Sequence, residues 1–409
     1  MACYGVMDIK EQLDRLMAGT EYGDAELARA MRRELGDRLA EGRPLTAYLG
    51  VDPTSPNIHL GHCVVLEKLA TFQQLGHRII FVIGDFTAQI GDPTGRSKTR
   101  PPLTTAEVAA NAATYADQAF RVLDRQRTEL VYNSQWLAGM SLKDVIGLTR
   151  EFTLAQLLTR EDFGQRHAAG APIHLHEFLY ALMQGQDAAH LKTDVQLGGT
   201  DQLFNILTGR DVMRNQGLKP QVPVIMPLLP GTDGKIKMSK SHGNDIGIAA
   251  APADMYGKIM SLPDEAMPGY YRLVSGLSPA EAERRISDIA SQAIHARDAK
   301  MDLGKRIVAR WHGAAQADAA EAAFVAQFQR GAAPEDCPEL QVTPGSDAVS
   351  LVLACGAAKS RAEAKRLIDQ GGLSLDGKRI DAWGPVDGLA DGGIVKAGKR
   401  HLYRIRIPA

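Results

Sequence analysis

Two histidines separated by a leucine and a glycine are the first residues in the chain whose spacing suggests chemistry. His59-Leu-Gly61-His62 follows an apolar run, Tyr48 to Val51, and a helical pattern begins at Gly61. The start of a helix offers unpaired N–H groups and a partial positive charge to an anion. Imidazoles at i and i+3 share a face and can donate hydrogen bonds, and the glycine permits close approach to the backbone. The stretch predicts a phosphate site, although it also fits half a metal site or two unrelated surface histidines.

A second segment combines two lysines with two hydroxyl groups. Lys237-Met-Ser239-Lys240-Ser241 lies between Gly231-Thr-Asp-Gly234 and Gly243. Lysine binds phosphate as a point charge on a flexible stem, and flanking glycines are typical of a loop that closes on a ligand. By itself this segment fits a solvated basic turn equally well.

The composition limits the class of protein. A chain of 409 residues predicts two or three domains. The net charge of −1 excludes a generally basic protein, so any nucleic-acid surface must be a local patch. No apolar run reaches the roughly 18 residues needed to span a bilayer, and the N-terminus lacks the features of a signal peptide. The four cysteines are scattered along the chain, which argues against a zinc knuckle or a disulfide framework. This pattern predicts a protein of the reducing cytoplasm.

The elements that must position these residues alternate between β-rich runs and long helical patterns. The predicted strands are Thr46–Val51, Arg78–Ile83, Glu129–Tyr132 and Val222–Leu229. Strands that alternate with helices predict an α/β fold with a Rossmann-like, doubly wound parallel sheet. Residues 8–43 predict a helical cover, and residues 141–190 a helical insertion.

The remaining chain predicts two further parts. Residues 252–330 carry no convincing strand, and Ser278-Pro-Ala-Glu281 predicts the start of a helix. Residues 331–345 predict a linker, and residues 346–409 short helices followed by short strands. This tail holds 11 Lys and Arg against seven Asp and Glu. The predicted division is a catalytic domain (1–230), a mobile loop (231–250), an α-helical domain (251–330), the linker and a small α+β domain (346–409).

The histidine pair and the lysine segment, in this order and about 180 residues apart, resemble the paired signature of class I aminoacyl-tRNA synthetases. The rest resembles the tyrosyl-tRNA synthetases. Motifs in the order of that family are Tyr48-x-Gly50-x-Asp52-Pro-Thr54, Ile90-Gly-Asp92-Pro-Thr-Gly95 and Gln196-Leu-Gly-Gly-Thr-Asp201-Gln202. The tail resembles the S4-type RNA-binding domain of bacterial tyrosyl enzymes.

The resemblance implies a tyrosine–tRNA ligase. Its substrates would be L-tyrosine, ATP with Mg²⁺ and tRNA(Tyr), with no structural metal. Tyr48 and Asp187 would hold the tyrosine hydroxyl, Tyr180 and Gln184 the α-amino group, and Gln202 would lie near the carboxylate. Asp187 is placed by spacing, because Gln186 stands where the family often has tyrosine.

The resemblance also implies the residues that handle the nucleotide and the RNA. Thr54, His59, His62, Lys237, Lys240 and Arg96 would act on the phosphates. The other ATP contacts would be Gly50, Asp52, Gly61, Asp201 (to a ribose hydroxyl) and Ser239. Arg96 stands where many relatives have lysine. The implied RNA contacts of the tail are Lys359, Arg361, Lys365 and Arg366.

Simpler interpretations remain open at this point. Tyr48 could be an ordinary strand residue, Asp92 a turn residue, Asp187 a helix-end residue, and the basic residues Lys98 and Arg100 simply solvated. The basic residues of the tail could be an ordinary surface. A tryptophanyl enzyme and an RNA-binding scaffold on an inactive synthetase fold are the rival functions. The resemblance further implies a homodimer, with the 141–190 insertion as its interface.

Overall fold

The computed structural model describes residues 8–93, 104–329, 337–398 and 401–407. The chain forms two compact units, Met1–Trp311 and His312–Ala409. In the part of the chain described, no helix has both the length and the apolar character needed to cross a membrane.

The first unit is built on a sheet of five parallel strands in the order β3-β2-β1-β4-β5. β2 is buried at every residue except the first, as expected for a parallel strand with helices on both faces. The predicted doubly wound α/β architecture is confirmed. The strands are β1 (Thr46–Val51), β2 (Arg78–Ile83), β3 (Thr128–Tyr132), β4 (Val195–Gly199) and β5 (Val222–Met226).

β4 is missing from the strands predicted from the sequence. Two of its residues are glycines, which weaken the intrinsic strand preference, yet the whole strand is buried. It forms because Val195 pairs with Ala47 on one side and Val222 on the other. Gly198 permits this packing, since a Cβ there would lie 2.7 Å from the side chain of Ile206. Tertiary pairing therefore overrides local preference in β4. A separate difference from the prediction is that β5 ends at Met226 instead of Leu229.

Helices connect these strands and cover the sheet. The predicted cover over 8–43 consists of α1 and α2, and the helix predicted to begin at Gly61 begins one residue earlier, at Leu60. The capping box at Ser278 opens α14 as predicted. The helices of this unit are α1 (Ile9–Met17), α2 (Ala25–Leu39), α3 (Leu60–Gln74), α4 (Thr87–Ile90), α5 (Thr105–Ala119), α6 (Ser134–Leu137), α7 (Leu142–Thr149), α8 (Leu154–Leu157), α9 (Glu161–Ala168), α10 (Leu175–Leu191), α11 (Leu203–Asn215), α12 (Pro252–Met260), α13 (Met267–Leu273), α14 (Pro279–Ala290) and α15 (Ala296–His312).

The second unit contains a mixed sheet in the order β6-β10-β9-β7-β8. Two helices pack against this sheet, and together they enclose a separate apolar core. Glu339–Gln341 lies inside the range predicted as a linker. It nevertheless forms the strand β6, because it pairs in parallel with β10. The short strands predicted after the helices are present. The elements are α16 (Ala314–Gln329), β6 (Glu339–Gln341), α17 (Ala348–Ala354), α18 (Arg361–Asp369), β7 (Leu373–Leu375), β8 (Lys378–Arg379), β9 (Ile394–Ala397) and β10 (His401–Arg406).

A buried carboxylate ties the N-terminal ends of the strands together. Asp194, just before β4, accepts hydrogen bonds from the backbone N–H of Thr46 at 2.9 Å and from Arg38 at 2.6 Å. Arg38 is only 5% exposed and also donates to the carbonyl of Pro220. Burial favours a raised pKa for Asp194, but hydrogen bonds and the charges of Arg43 and Arg38 bring that pKa below its usual value. The cluster therefore joins α2, β1 and β4 through an ionised carboxylate.

Replacing Arg38 with alanine should lower the free energy of unfolding by about 2 kcal/mol, because it removes buried hydrogen bonds to Asp194 and Pro220 while Arg43 still pairs with Asp194. Chemical denaturation followed by circular dichroism measures this loss. Arg32→Ala on the same helix is the matched control, since its ion pair with Asp14 is exposed and should matter by less than about 1 kcal/mol. Equal effects of the two substitutions would contradict a structural role for the cluster.

Candidate active site

A cavity of about 630 Å³ opens at the carboxyl ends of the parallel strands. It lies where the strand order reverses around β1, the usual ligand position in open α/β sheets. Within the described ranges, every residue predicted to contact ATP or the amino acid lines it. These residues are Tyr48, Gly50, Asp52, Thr54, His59, Gly61, His62, Tyr180, Gln184, Asp187, Asp201, Gln202, Lys237, Ser239 and Lys240. Arg96, Lys98 and Arg100 lie outside the described residues.

The two histidines pack against each other at the start of α3. Their ring centroids are 3.8 Å apart, and the backbone N–H of His59 donates to Nδ1 of His62 at 3.2 Å. An accepting Nδ1 leaves the proton of a neutral imidazole on Nε2, which becomes a donor. Gly61 allows the arrangement, since a Cβ there would lie 3.1 Å from the ring of His59.

Both imidazoles are neutral at physiological pH. Burial, with a smaller effect of His62, lowers the pKa of His59 to about 2. Burial, with a smaller effect of Lys237, lowers the pKa of His62 to about 4. Nδ1 of His59 is buried and has no hydrogen-bond partner among the described residues. The pair can therefore exchange hydrogen bonds with a ligand, while its positive potential comes from the helix start and nearby lysines.

The metal interpretation of the histidine pair gains no support from its surroundings. Across the described ranges, no group of three or more His, Cys, Asp or Glu side chains is arranged to hold a metal ion.

The lysine segment lines the same cavity and reaches the end of β4. Nζ of Lys237 binds Oδ2 of Asp201 at 2.8 Å, and the backbone N–H of Met238 donates to the carbonyl of Leu229 at 2.9 Å. Lys237 is about one-third exposed. The lysine thus has one carboxylate partner and remains open to a ligand in the cavity.

The side chain of Asn244, a residue that was not predicted from the sequence, binds the backbone of this segment. Its side chain is 4% exposed and accepts from the backbone N–H of Ser239 at 2.8 Å. It also donates to Asp233 and to the carbonyl of Lys237. A Cβ at Gly231 would lie 2.2 Å from the Asn244 side chain. That glycine makes room for the asparagine, so the segment predicted to be hinged by glycine is also anchored.

A short antiparallel pairing joins the histidine and lysine segments. The backbone N–H of Leu60 donates to Ile246 at 3.0 Å, and that of Ile248 donates to Ile58 at 3.1 Å. Arg121 reinforces the pairing by donating to the carbonyl of Ile248 at 2.7 Å. Motifs about 180 residues apart are thereby fixed beside each other.

The other end of the cavity surrounds Asp187. This carboxylate accepts from Nε1 of Trp136 at 2.8 Å and from Asn133 at 3.2 Å. Burial raises its pKa to about 8; the two hydrogen bonds oppose the rise, and the charges of Asp52 and Asp85 add to it. Asp187 therefore lies within α10 and inside the site, which answers the alternative of a simple helix-end residue.

Two polar atoms of the cavity wall are buried without a hydrogen bond among the described residues. They are the hydroxyl of Tyr48 and Oε1 of Gln184, although the amide of Gln221 lies near the hydroxyl. Burial and the charge of Asp187 both raise the pKa of Tyr48 well above its usual value. Leaving buried polar atoms unpaired costs free energy. These atoms, both lining the cavity, mark a place for a ligand with a hydrogen-bonding group.

Two more carboxylates lie along the cavity wall. Asp52 accepts from Tyr180 at 2.9 Å and from Thr87 at 2.7 Å. Asp92, which sequence reasoning could equally place in a simple turn, lines the cavity and accepts from Gln202 at 2.8 Å. Three carboxylates, Asp52, Asp92 and Asp187, thus line the same cavity as the start of α3 and the lysines.

Sequence reasoning missed Asn133, Trp136 and Asn244 among the residues that shape the site. Asn133 had an available signal, since it directly follows the predicted strand that ends at Tyr132 and so belongs to the ligand edge of the sheet. Trp136 and Asn244 carry no comparable local signal, because their partners are distant or lie across a loop.

Comparisons with known proteins agree with this geometry. Residues 40–329 match the family described as tRNA synthetases class I (W and Y). The chain is 46% identical over 406 residues to "Tyrosine--tRNA ligase" of Moorella thermoacetica, covering 98% of each chain. It is also 46% identical to the protein of that name from Photobacterium profundum, over 96% of this chain and all of that one.

Solved structures share the fold. The tyrosyl-tRNA synthetase of Archaeoglobus fulgidus, complexed with L-tyrosine, aligns with a TM-score of 0.63 at 24% identity, over 77% of this chain and all of that chain. A truncated mitochondrial tyrosyl-tRNA synthetase from Aspergillus nidulans aligns with a TM-score of 0.61 at 24% identity, over 78% of this chain and 94% of that one.

Replacing Asn244 with alanine should release the Lys237–Ser241 segment. The loss of its hydrogen bonds, each worth about 1 kcal/mol, should speed amide hydrogen exchange at Ser239 by about tenfold or more. Asn215→Ala, an exposed asparagine at the end of α11, is the matched control and should leave that exchange rate unchanged. Unaltered exchange in the Asn244 variant would show that the segment is held by other contacts.

Proposed function

The chain belongs to the class I tRNA synthetases for tryptophan and tyrosine, and we propose how its described side chains divide the work of joining tyrosine to tRNA. The reaction has two steps. The carboxylate of tyrosine attacks the α-phosphate of ATP and pyrophosphate leaves; a terminal ribose hydroxyl of tRNA then attacks the tyrosyl-adenylate. Neither step requires a protein nucleophile, so catalysis is alignment and stabilisation of phosphate charge.

Tyr48 and Asp187 bind the phenolic hydroxyl of the substrate. A phenol both donates and accepts, and here a buried carboxylate faces a buried hydroxyl that lacks a hydrogen bond of its own. A site built around a hydroxyl rejects the analogue without one, a property known from tyrosyl enzymes themselves, because its polar groups would stay unpaired. The unpaired Tyr48 hydroxyl beside Asp187 is the observation that carries the choice of tyrosine.

The α-amino and carboxylate groups of tyrosine bind toward Asp92 and Gln202, and Asp52, predicted as an ATP contact, faces the ammonium as well as the nucleotide. Tyr180 and Gln184, one helical turn apart on α10, complete this side, with Oε1 of Gln184 available to accept from the ammonium. Tyr180 already donates to Asp52, so it acts with that carboxylate. Opposite charge attracts the ammonium to this wall and leaves the substrate carboxylate pointing toward the nucleotide.

The histidine and lysine segments bind ATP. His59 and His62 offer neutral hydrogen-bonding groups to the phosphates at the start of α3, beside Thr54. Lys237 and Lys240, with Ser239, approach from the other segment, and Arg96, which lies outside the described residues, would add a charge. Gly50 and Gly61 leave room for the nucleotide, and Asp201 accepts from the ribose. Because Lys237 now pairs with Asp201, ATP replaces that contact. Magnesium enters as part of the ATP substrate, coordinated by its phosphates.

The tail supplies RNA contacts. The proposed contact residues on or beside α18 are Lys359, Arg361, Lys365 and Arg366. Phosphate contacts of this kind make the affinity fall with salt. We retain the predicted functional ranges, with 1–230 catalytic, 231–250 loop, 251–330 on the anticodon side and an S4-like domain from 346, although the compact second unit already begins at His312.

A homodimer in the cytoplasm completes the proposal. Large apolar side chains are exposed within the helical insertion, at Leu142 (75%), Ile146, Leu154 and Leu175 (83%). Leu142 and Ile146 lie one turn apart on α7. Apolar side chains this exposed support a contact surface for a second copy. Cys63, Cys337 and Cys355 are buried thiols that form no disulfide among the described residues, which suits a reducing compartment.

Pyrophosphate exchange with single amino acids tests the proposed substrate. The expected result is exchange that depends on tyrosine, with tryptophan and phenylalanine at background. Exchange driven by tryptophan would assign the chain to the other branch of the family. No exchange with any amino acid, from a protein that binds tRNA, would favour the inactive RNA-binding scaffold.

A further inference from the structure

We propose that Trp383 is a stacking site for an unpaired base of the bound tRNA. The proposal rests on the RNA-binding role proposed above for α18 and adds to it a residue that contacts a base, where the basic residues contact phosphates. The occupant is an unstacked nucleobase in a loop, bulge or single-stranded end, the form in which RNA bases are available to aromatic side chains.

The indole of Trp383 is exposed and held in one orientation along α18. Trp383 is 47% exposed. Nζ of Lys365 lies 4.4 Å from the centroid of its ring, and Nε1 donates to Oδ1 of Asp369 at 2.9 Å. Lys365 and Asp369 are one turn apart and therefore lie on the same face of α18, from which both contact the indole.

The backbone after Trp383 is fixed as well. The carbonyl of Gly384 accepts from the N–H of Ala348 at 2.9 Å, and the N–H of Val386 donates to Ser346 at 3.1 Å. Val386 is buried in the core of this unit. An aromatic ring held in advance loses little conformational entropy when a ligand stacks on it.

The charges around the ring favour nucleic acid. Across 346–409 the sequence carries four more positive than negative side chains. Among the described residues, Lys359, Lys365 and Arg366 form no ion pair with a carboxylate, and Arg361 is two-thirds exposed. A basic surface with one exposed aromatic side chain combines backbone attraction with base stacking, the two elements of single-stranded nucleic-acid binding.

An isolated indole fits a base better than a protein partner. Within 337–398 and 401–407, Trp383 is the one large apolar side chain that stands out as exposed. A protein interface needs a contiguous apolar patch, whereas one ring suffices for one base. A protein contact is therefore the alternative that the experiment must detect.

The first test measures the affinity of the full-length chain for a tRNA(Tyr) transcript over a range of salt concentrations. Trp383→Ala should weaken binding about tenfold or more and leave the slope of log K against log salt unchanged, because no phosphate contact is lost. Arg366→Ala is the comparison and should reduce that slope by about one. Trp383→Tyr keeps an aromatic face and should retain most of the affinity.

The second test measures the fluorescence of the Trp383 indole. The emission of the wild-type chain minus that of Trp383→Phe isolates Trp383 from the other two tryptophans. A single-stranded RNA oligonucleotide should quench this difference signal, and a duplex of the same length should quench it far less.

Wild-type affinity in Trp383→Ala together with an unquenched signal would overturn the stacking site and point to a protein contact. A changed salt slope in Trp383→Ala would also overturn it, since the loss would then lie in phosphate contacts. If Arg366→Ala likewise keeps full affinity and slope, the RNA-binding role of α18 itself fails, which separates the two proposals.

Discussion

The site depends on one short backbone pairing, between residues 58–60 and 246–248. Two hydrogen bonds, from Leu60 to Ile246 and from Ile248 to Ile58, place the start of α3 beside the segment that follows the lysines. Arg121 extends the contact by donating to the carbonyls of both Ile248 and Trp311. Without this pairing, the histidines would remain on the fixed sheet, while the chain that follows the lysine segment would lose its contact with the start of α3. With it, two segments about 180 residues apart line the same cavity, where we propose that they act on one ligand.

On the proposed function, charge is distributed along the cavity so that it matches an amino acid and a nucleotide bound end to end. The start of α3, Lys237 and Lys240 offer positive potential to phosphates. Asp52 and Asp92 offer negative charge to an ammonium. Beyond them Asp187, buried with Tyr48, faces the far end of the substrate. On this proposal, the nucleotide part of the site uses chemistry common to ATP sites, and the choice of amino acid rests on Tyr48 and Asp187, which do not touch the phosphates.

Sequence alone predicted the parts whose signals are local. β1 and β2 begin and end at the predicted residues, α14 begins at the proline after Ser278 as predicted, and α3 begins one residue before the predicted Gly61. β4 was missed because its glycines hide a strand that exists only through pairing with both neighbours. β6 was missed because three residues between prolines carry no pattern of their own. Asn244 could not be found for a related reason, since its partners are backbone groups of a loop whose path the sequence does not reveal.

The pH dependence of tyrosine affinity tests whether Asp187 accepts a hydrogen bond from the substrate hydroxyl. The pKa of Asp187 is about 8 in the unliganded site because burial favours the neutral acid, while a phenol that donates a hydrogen bond favours the carboxylate. Tyrosine affinity should therefore rise between pH 6.5 and 8, by up to tenfold per pH unit, and then level off. Phenylalanine binding, and tyrosine binding to Asp187→Asn, should lack this rise. An affinity for tyrosine that does not change with pH, or a rise that persists in Asp187→Asn, would contradict the assignment of Asp187 as the acceptor for the substrate hydroxyl.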